Sequence, residues 1–304
     1  MSATAGQTNS RSLADWASLA ALVVAWGSAF AITKVALETI TPIWTVSLRV
    51  LVAVLIFLPI FYATGQSLPR NREFWLWMVV VSLIGTLLPF FFIAWGTQYV
   101  DTGVVGVLIG AVPIFTMAMA HFTVPGERAS PAKILGFAIG FTGLVVLVSQ
   151  GSTVDFSGGR LVFYGQIAII AAAFCYAFQG ICAKIMPPAT AWQKALAGSL
   201  IALVPAFAFS FASGTEGVSG ASWTSLIAVV ALGTLSTAIA GLIMFRLIAS
   251  AGPSFTSLTS YLIPVYTLVL GAMIFSEKAG SYTLIGMVLI LGGIAISEFW
   301  SRRT

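Results

Sequence analysis

Residues 113–128 read PIFTMAMAHFTVPGER, and residues 264–278 read PVYTLVLGAMIFSEK. Each stretch opens on a proline, runs apolar for several helical turns, and stops at a glutamate followed by a base. Pro113 aligns with Pro264 and Thr116 with Thr267; after a one-residue slip in the loop, Glu127 meets Glu277, Arg128 meets Lys278, Gly136 meets Gly286 and Gly143 meets Gly293. The same register carries Trp26 onto Tyr176 and Lys34 onto Lys184. One pattern is written twice, and it divides the chain at residues 1–150 and 151–304.

The surroundings of that pattern say what medium it lives in. Of 304 residues, 59% are hydrophobic and 8% charged, and the mean hydropathy is +1.02, whereas a soluble domain carries roughly 25% charged residues. A hydrocarbon core of about 30 Å needs about 20 apolar residues per helix. Apolar windows bounded by Gly, Pro and charge place spans at 15–37, 42–63, 74–97, 101–124, 131–149, 161–185, 190–212, 221–248, 252–275 and 281–298. The fold class expected is an all-α integral membrane protein of ten transmembrane helices. Each half holds five, an odd number, so the second copy must cross in the opposite sense. The result is two inverted five-helix repeats around a central cavity, with a substrate site near the bilayer midplane between them.

An even number of spans puts both termini on one side. That side collects Arg11, Arg70, Arg72, Arg128, Lys133, Lys194, Arg302 and Arg303, with Lys184 and Arg246 near the same edge; the other has Lys34, Arg160 and Lys278. The asymmetry makes both termini cytoplasmic. The N-terminal segment has no basic n-region with a clear cleavage site, so the first apolar run is expected to be a retained span. The bases form no stripe, and no nucleic-acid partner is expected. Cys175 and Cys182 lie seven apart on one helix, with about 10 Å of rise between them, too far for a mutual disulfide.

The stretches that carry the repeat also carry a likeness. WGSAFAITK at Trp26 to Lys34, the run from Ala94 to Arg128, and SLTSYLIPVYTLVLGAMIFSEKAGSYTLIGMVLILGGIAI from Ser257 resemble the EamA family of the drug/metabolite transporter superfamily, most closely its bacterial amino-acid and metabolite exporters. The resemblance implies a basket of helices in the inner membrane and export of amino acids, aromatic ones among them, or similar small metabolites. Export of hydrophobic drugs or nucleosides is the alternative. The second half departs from the first-helix pattern, with Ala177 and Phe178 where the first has Gly27 and Ser28. Unequal contributions to the cavity are therefore expected.

Intramembrane polar and aromatic groups are the candidates for the substrate wall, since a charge at a span centre costs about 2.5–3.5 kcal/mol. Trp26, Phe30 and Thr33 share one face of the first helix, and Tyr176 and Gln179 share the matching face of the sixth. Phe91, Trp95, Gln98 and Tyr99 form a stripe on the third, although Trp95 and Tyr99 also suit an interfacial belt. In the repeat register Gly106 aligns with Ser257 and Gly110 with Tyr261, a glycine groove in one half against a polar, aromatic ridge in the other. Such a groove more commonly admits a neighbouring helix than a solute.

Lys34 and Lys184 are candidates for a gate or mouth, with snorkelling as the competing use, and Lys34 could pair with Glu38 one turn on. Arg49 and Arg246 have no local partner. Glu127 and Glu277, at the ends of apolar runs, read as loop ion pairs or helix tethers rather than proton carriers. No Asp or Glu occupies a span centre and His121 lies near a helix end, so gradient-driven facilitation, or a coupling weaker than that of an obligate antiporter, is expected. No H-E-x-x-H, G-x-S-x-G or metal-ligand cluster is present; neither enzyme, cofactor nor metal is expected, and the bilayer and a small solute are the partners of a monomer.

Overall fold

Helix starts follow local chemistry. In the computed structural model, which describes residues 12–123, 131–149, 159–251, 253–256 and 258–296, α1 (Leu13–Ala36) begins at Ser12, whose hydroxyl accepts from Asp15 N–H while the Asp15 carboxylate accepts from Ser12 N–H. This reciprocal cap satisfies two of the donors that every helix start leaves open. Thr41 followed by Pro42 opens α2 (Pro42–Ala63). Asn71 caps α3 (Arg72–Thr97), and Thr190 with Gln193 forms the cap of α7 (Ala191–Ala212). The remaining helices are α4 (Thr102–Thr123), α5 (Pro131–Ser149), α6 (Gly159–Ile185), α8 (residues 223–251), α9 (Thr259–Phe275) and α10 (Ser281–Ala295).

Among the described residues all regular structure is helical. Seven helices, α1 to α4 and α6 to α8, are long and apolar enough to cross a membrane; α5, α9 and α10 contribute shorter apolar stretches, Ile134–Leu147, Leu262–Phe275 and Ser281–Ala295.

Three helices are interrupted. In α4 the chain breaks at Gly110 and Ala111 between Thr102–Ile109 and Val112–Thr123. Pro113 has no N–H to offer the carbonyl one turn back. Leu83–Leu87 in α3 and Leu232–Ile239 in α8 wind as π-turns. Pro89 accounts for the first in the same way. In the second, no proline is present; the Thr237 hydroxyl inserts into the ladder and donates to the Leu232 carbonyl at 3.1 Å. The register that pairs Trp26 with Tyr176 carries the first π-turn to 233–237, inside the second.

Helix packing repeats the same symmetry. The α1 contact with α8 has its counterpart in α6 with α3, α1 with α9 in α6 with α4, and α2 with α8 in α7 with α3, while α2–α7, α4–α9 and α5–α10 pair with their own mates. Every one of these contacts spans the two halves. The halves are therefore interleaved, and neither buries its apolar faces alone. Glycines close the self-paired seams: a Cβ on Gly106 would strike Thr267, one on Gly110 would strike Pro264, and one on Gly293 would strike the backbone of Gly136 and Gly140. In the described structure the glycine groove of α4 is thus filled by α9.

Candidate functional site

The two π-turns receive polar side chains from the opposite half. Arg49, two turns into α2 and 9% exposed, donates its Nε–H to Thr237 Oγ1 of α8 at 3.0 Å. Its guanidinium lies 3.8 Å from the centre of the Phe90 ring of α3, a stacked cation–π arrangement that suits the planar group. Tyr176 of α6 stands within electrostatic range of the same charge. On the other side, the Gln179 side chain of α6 folds over Gly85 in the π-turn of α3, so close that a Cβ there would displace it. Gly233 has the same function under Arg49, where a Cβ would strike Val52 and the Arg49 carbonyl. A π-turn spreads the ladder and leaves backbone groups for such partners, which is why these turns recur at functional positions.

At one end of the bundle a second polar site joins the halves. Lys34 Nζ, at the end of α1, donates to Glu277 Oε1 at 2.6 Å and lies 4.5 Å from the centre of the Phe275 ring. The Glu277 carboxylate is 9% exposed and also accepts from the backbone N–H groups of Thr102 (3.0 Å) and Gly103 (3.2 Å) at the start of α4. Burial works against its charge, but the Lys34 ammonium and the two helix-terminal N–H groups together outweigh it and hold the carboxyl below its ordinary 4.5. The turn that delivers it passes through Ser276 with φ 55°, the left-handed helix end that sets Glu277 back over Gly271.

A cleft of about 330 Å³ opens beside this clamp, lined among others by Tyr99, Asp101, Gln166, Leu268, Glu277 and Lys278. Asp101, exposed at the start of α4, is pushed above its ordinary 3.8 by desolvation and by Glu277, with Lys34 opposing. Gln166 is 4% exposed, and its amide oxygen has no hydrogen-bond partner.

Residues 15–149 and again 163–299 match the EamA-like transporter family. The chain belongs to that family. It is a membrane transporter, and the family pattern occurs in it twice. Relatives of this EamA-like chain include the uncharacterized transporter YoaV of Bacillus subtilis, 25% identical over 91% of this chain and 94% of its own. The probable amino-acid metabolite efflux pump of Escherichia coli K12 is 24% identical, over 92% and 93% respectively. The uncharacterized inner membrane transporter YedA of the same strain is 24% identical over 91% and 88%. A solved crystal structure shares the fold with a TM-score of 0.63, covering 97% of this chain and 99% of its own at 20% identity.

Within this EamA-like fold the wall residues take different places. Trp26 packs against the α1–α8 cluster of Leu19, Leu22 and Leu247. Phe30 is buried among Ile93, Leu108 and Ile169, and Tyr176 packs at the edge of that cluster. Thr33 is buried, its hydroxyl donating to the Ala29 carbonyl. Phe91 lies against Val46, Val50 and Ala206. Trp95 meets Tyr99 edge-on at 5.2 Å; Tyr99 reaches the cleft and Gln98 is exposed. Ser257 and the side chains of Tyr261 and Lys184 lie outside the described residues, as do Glu127 and Arg128. Lys34 pairs with Glu277 rather than Glu38, which stands exposed, because Glu277 is largely buried and fixed by the backbone N–H groups at the start of α4. His121 is exposed near the end of α4 against Phe122.

Sequence reasoning left several functional positions unassigned. Arg49 carried no local partner because Thr237 is 188 residues away. Tyr266 was not singled out, yet its ring covers Gly27, where a Cβ would strike it, and its hydroxyl bonds Ser28 Oγ at 2.9 Å. The Gly27–Ser28 pair, absent at Ala177 and Phe178, was the available signal: a glycine next to a hydroxyl within a helix lets a neighbouring ring come close and gives it a polar partner.

Proposed function

We propose that the protein is a secondary transporter that exports amino acids, aromatic ones among them, or related small metabolites across the bacterial inner membrane by alternating access. All ten helices cross the bilayer as two inverted five-helix repeats, 1–150 and 151–304, with both termini in the cytoplasm. The Lys34–Glu277 clamp carries this reading. It ties α1 of one repeat to the α9–α10 turn of the other and to the start of α4, so that one mouth is held shut by a few polar bonds that can be released and re-formed. Lys34 is the gate there, and Lys184 its counterpart at the opposite mouth. The site between them is lined by Trp26, Phe30, Thr33, Phe91, Trp95, Gln98, Tyr99, Tyr176 and Gln179, with Ser257 and Tyr261 from the second repeat.

Aromatic faces beside amides and hydroxyls suit an amphipathic zwitterion better than a naked ion. The Escherichia coli relative named as a probable amino-acid metabolite efflux pump supports the same cargo class. No Asp or Glu sits in the middle of a described span, which supports export down the cargo's own gradient without an obligatory proton.

Counterflow in proteoliposomes with labelled amino acids and nucleosides tests the proposal. Amino-acid counterflow is expected, with half-saturation raised about tenfold in Trp26→Ala and Gln179→Ala. Nucleoside counterflow with no amino-acid counterflow would overturn the cargo assignment.

A further inference from the structure

Arg49 is a cation that the fold does not neutralise. It is 9% exposed in a helix of mean apolar character, and among the described residues no carboxylate pairs with it. Its one hydrogen bond goes from Nε to Thr237 Oγ1, and one face rests on Phe90. A guanidinium has five N–H donors, so the Nη1 and Nη2 groups are left over. Thr237 is itself fixed by its bond to the Leu232 carbonyl in the π-turn, and Gly233 brings α2 and α8 into backbone contact below it. The side chain is therefore held in one orientation, with its terminal edge unspent.

Packing alone does not account for such a residue. A methionine or leucine would fill the same volume without the penalty of a desolvated, unpaired charge. The repeat sharpens the point. In the register that pairs Trp26 with Tyr176, Arg49 falls on Ser199, whose hydroxyl simply donates to the Ala195 carbonyl of its own helix. One half supplies a buried cation and the other does not, the asymmetry expected for a cargo with one anionic end.

We propose that Arg49 receives the carboxylate of the cargo, its Nη1 and Nη2 groups gripping the two carboxylate oxygens while Thr237 and Phe90 hold the guanidinium in place. This rests on the reading of the protein as an amino-acid exporter and names the group by which it recognises that class. Neutralisation of Arg49 by the cargo and of the cargo by Arg49 removes both desolvation costs in the same event, so a free acid is admitted and a solute without a carboxylate leaves the cation unpaired.

The experiment uses the full chain in proteoliposomes, with counterflow of labelled phenylalanine, leucine and threonine, each competed by its own unlabelled acid and by its amide. For the wild type the amides are expected to compete about 10- to 100-fold more weakly than the acids. Arg49→Gln should bring acid and amide to near equality, and Arg49→Lys, which keeps the charge and loses the fork, should fall between. Equal competition by acid and amide in the wild type overturns the assignment while leaving the exporter standing. A preference for the acid that survives in Arg49→Gln overturns it as well. Absence of counterflow for every amino acid in the wild type overturns the exporter reading itself. Should Arg49→Gln not fold, the wild-type series and Arg49→Lys decide between these results.

Discussion

Lys34 and Glu277, 243 residues apart, meet at 2.6 Å, and the same carboxylate caps the start of α4 through Thr102 and Gly103. One side chain thus joins the end of α1, the α3–α4 corner and the α9–α10 turn. Glu277→Gln keeps the shape but removes the charge from a largely buried site, and the remaining ammonium loses its counter-ion. A loss of about 2 kcal/mol is expected, read as a lowered midpoint of thermal unfolding in detergent. An Ala279→Cys reporter in the adjoining cleft should react faster with an impermeant maleimide in the Glu277→Gln background.

The clamp also carries a pH signature. Glu277 has a depressed pKa when folded, so its stabilising contribution is present above its ordinary 4.5 and is lost only as the pH falls through its lowered value. Asp101 is shifted the other way; its contribution is complete below its ordinary 3.8 and is lost as the pH rises through its raised value. Asp101→Asn should therefore flatten the fall in stability on the alkaline side of 3.8, weakly because the side chain is open to solvent and screened by salt. Glu277→Gln should abolish the loss on the acid side of 4.5. Unfolding midpoints across the acid range check both.

The π-turn glycine Gly233 is expected to be far less tolerant of a side chain than Gly180 of α6, which has open space around it. Gly233→Ala places a methyl into Val52 and the Arg49 carbonyl, and overpacking of this kind costs about 1–3 kcal/mol. Gly180→Ala meets nothing within 4 Å and should be neutral or stabilising by up to about 1 kcal/mol. A comparison of thermal midpoints separates the two directly.

The lack of a mid-span carboxylate predicts that counterflow persists when the transmembrane pH difference is collapsed. Amino-acid uptake into proteoliposomes with equal internal and external pH should match uptake with an imposed gradient. Strict dependence on the gradient, lost in His121→Ala, would assign His121 a coupling role.

Much of the architecture was legible because it is local. Thr41 before Pro42, Asn71 before Glu73 and Thr190 before Gln193 are helix starts that can be read from neighbouring residues, and each begins a helix within two residues of the expected edge. The repeat was legible because Pro113 and Pro264 stand in the same context. What escaped is what depends on the other half of the molecule. Glu38, one turn from Lys34, was the nearest acid in the chain, but the partner is Glu277. Nothing in LGTLSTAI announces a π-turn without the knowledge that Thr237 both bonds Leu232 and receives Arg49. For the same reason Arg49 could be recognised as unpaired in its own helix but not as held.

The central claim, that the mouth closed by Lys34 and Glu277 must open for cargo to pass, is tested most directly by locking it. Lys34→Cys and Glu277→Cys are introduced together, with the buried Cys175 and Cys182 replaced by serine, and linked by a short bifunctional thiol reagent that reducing agent removes. Counterflow is predicted to stop on linking and to return on reduction, while the unlinked double variant transports. Undiminished counterflow in fully linked protein would contradict it.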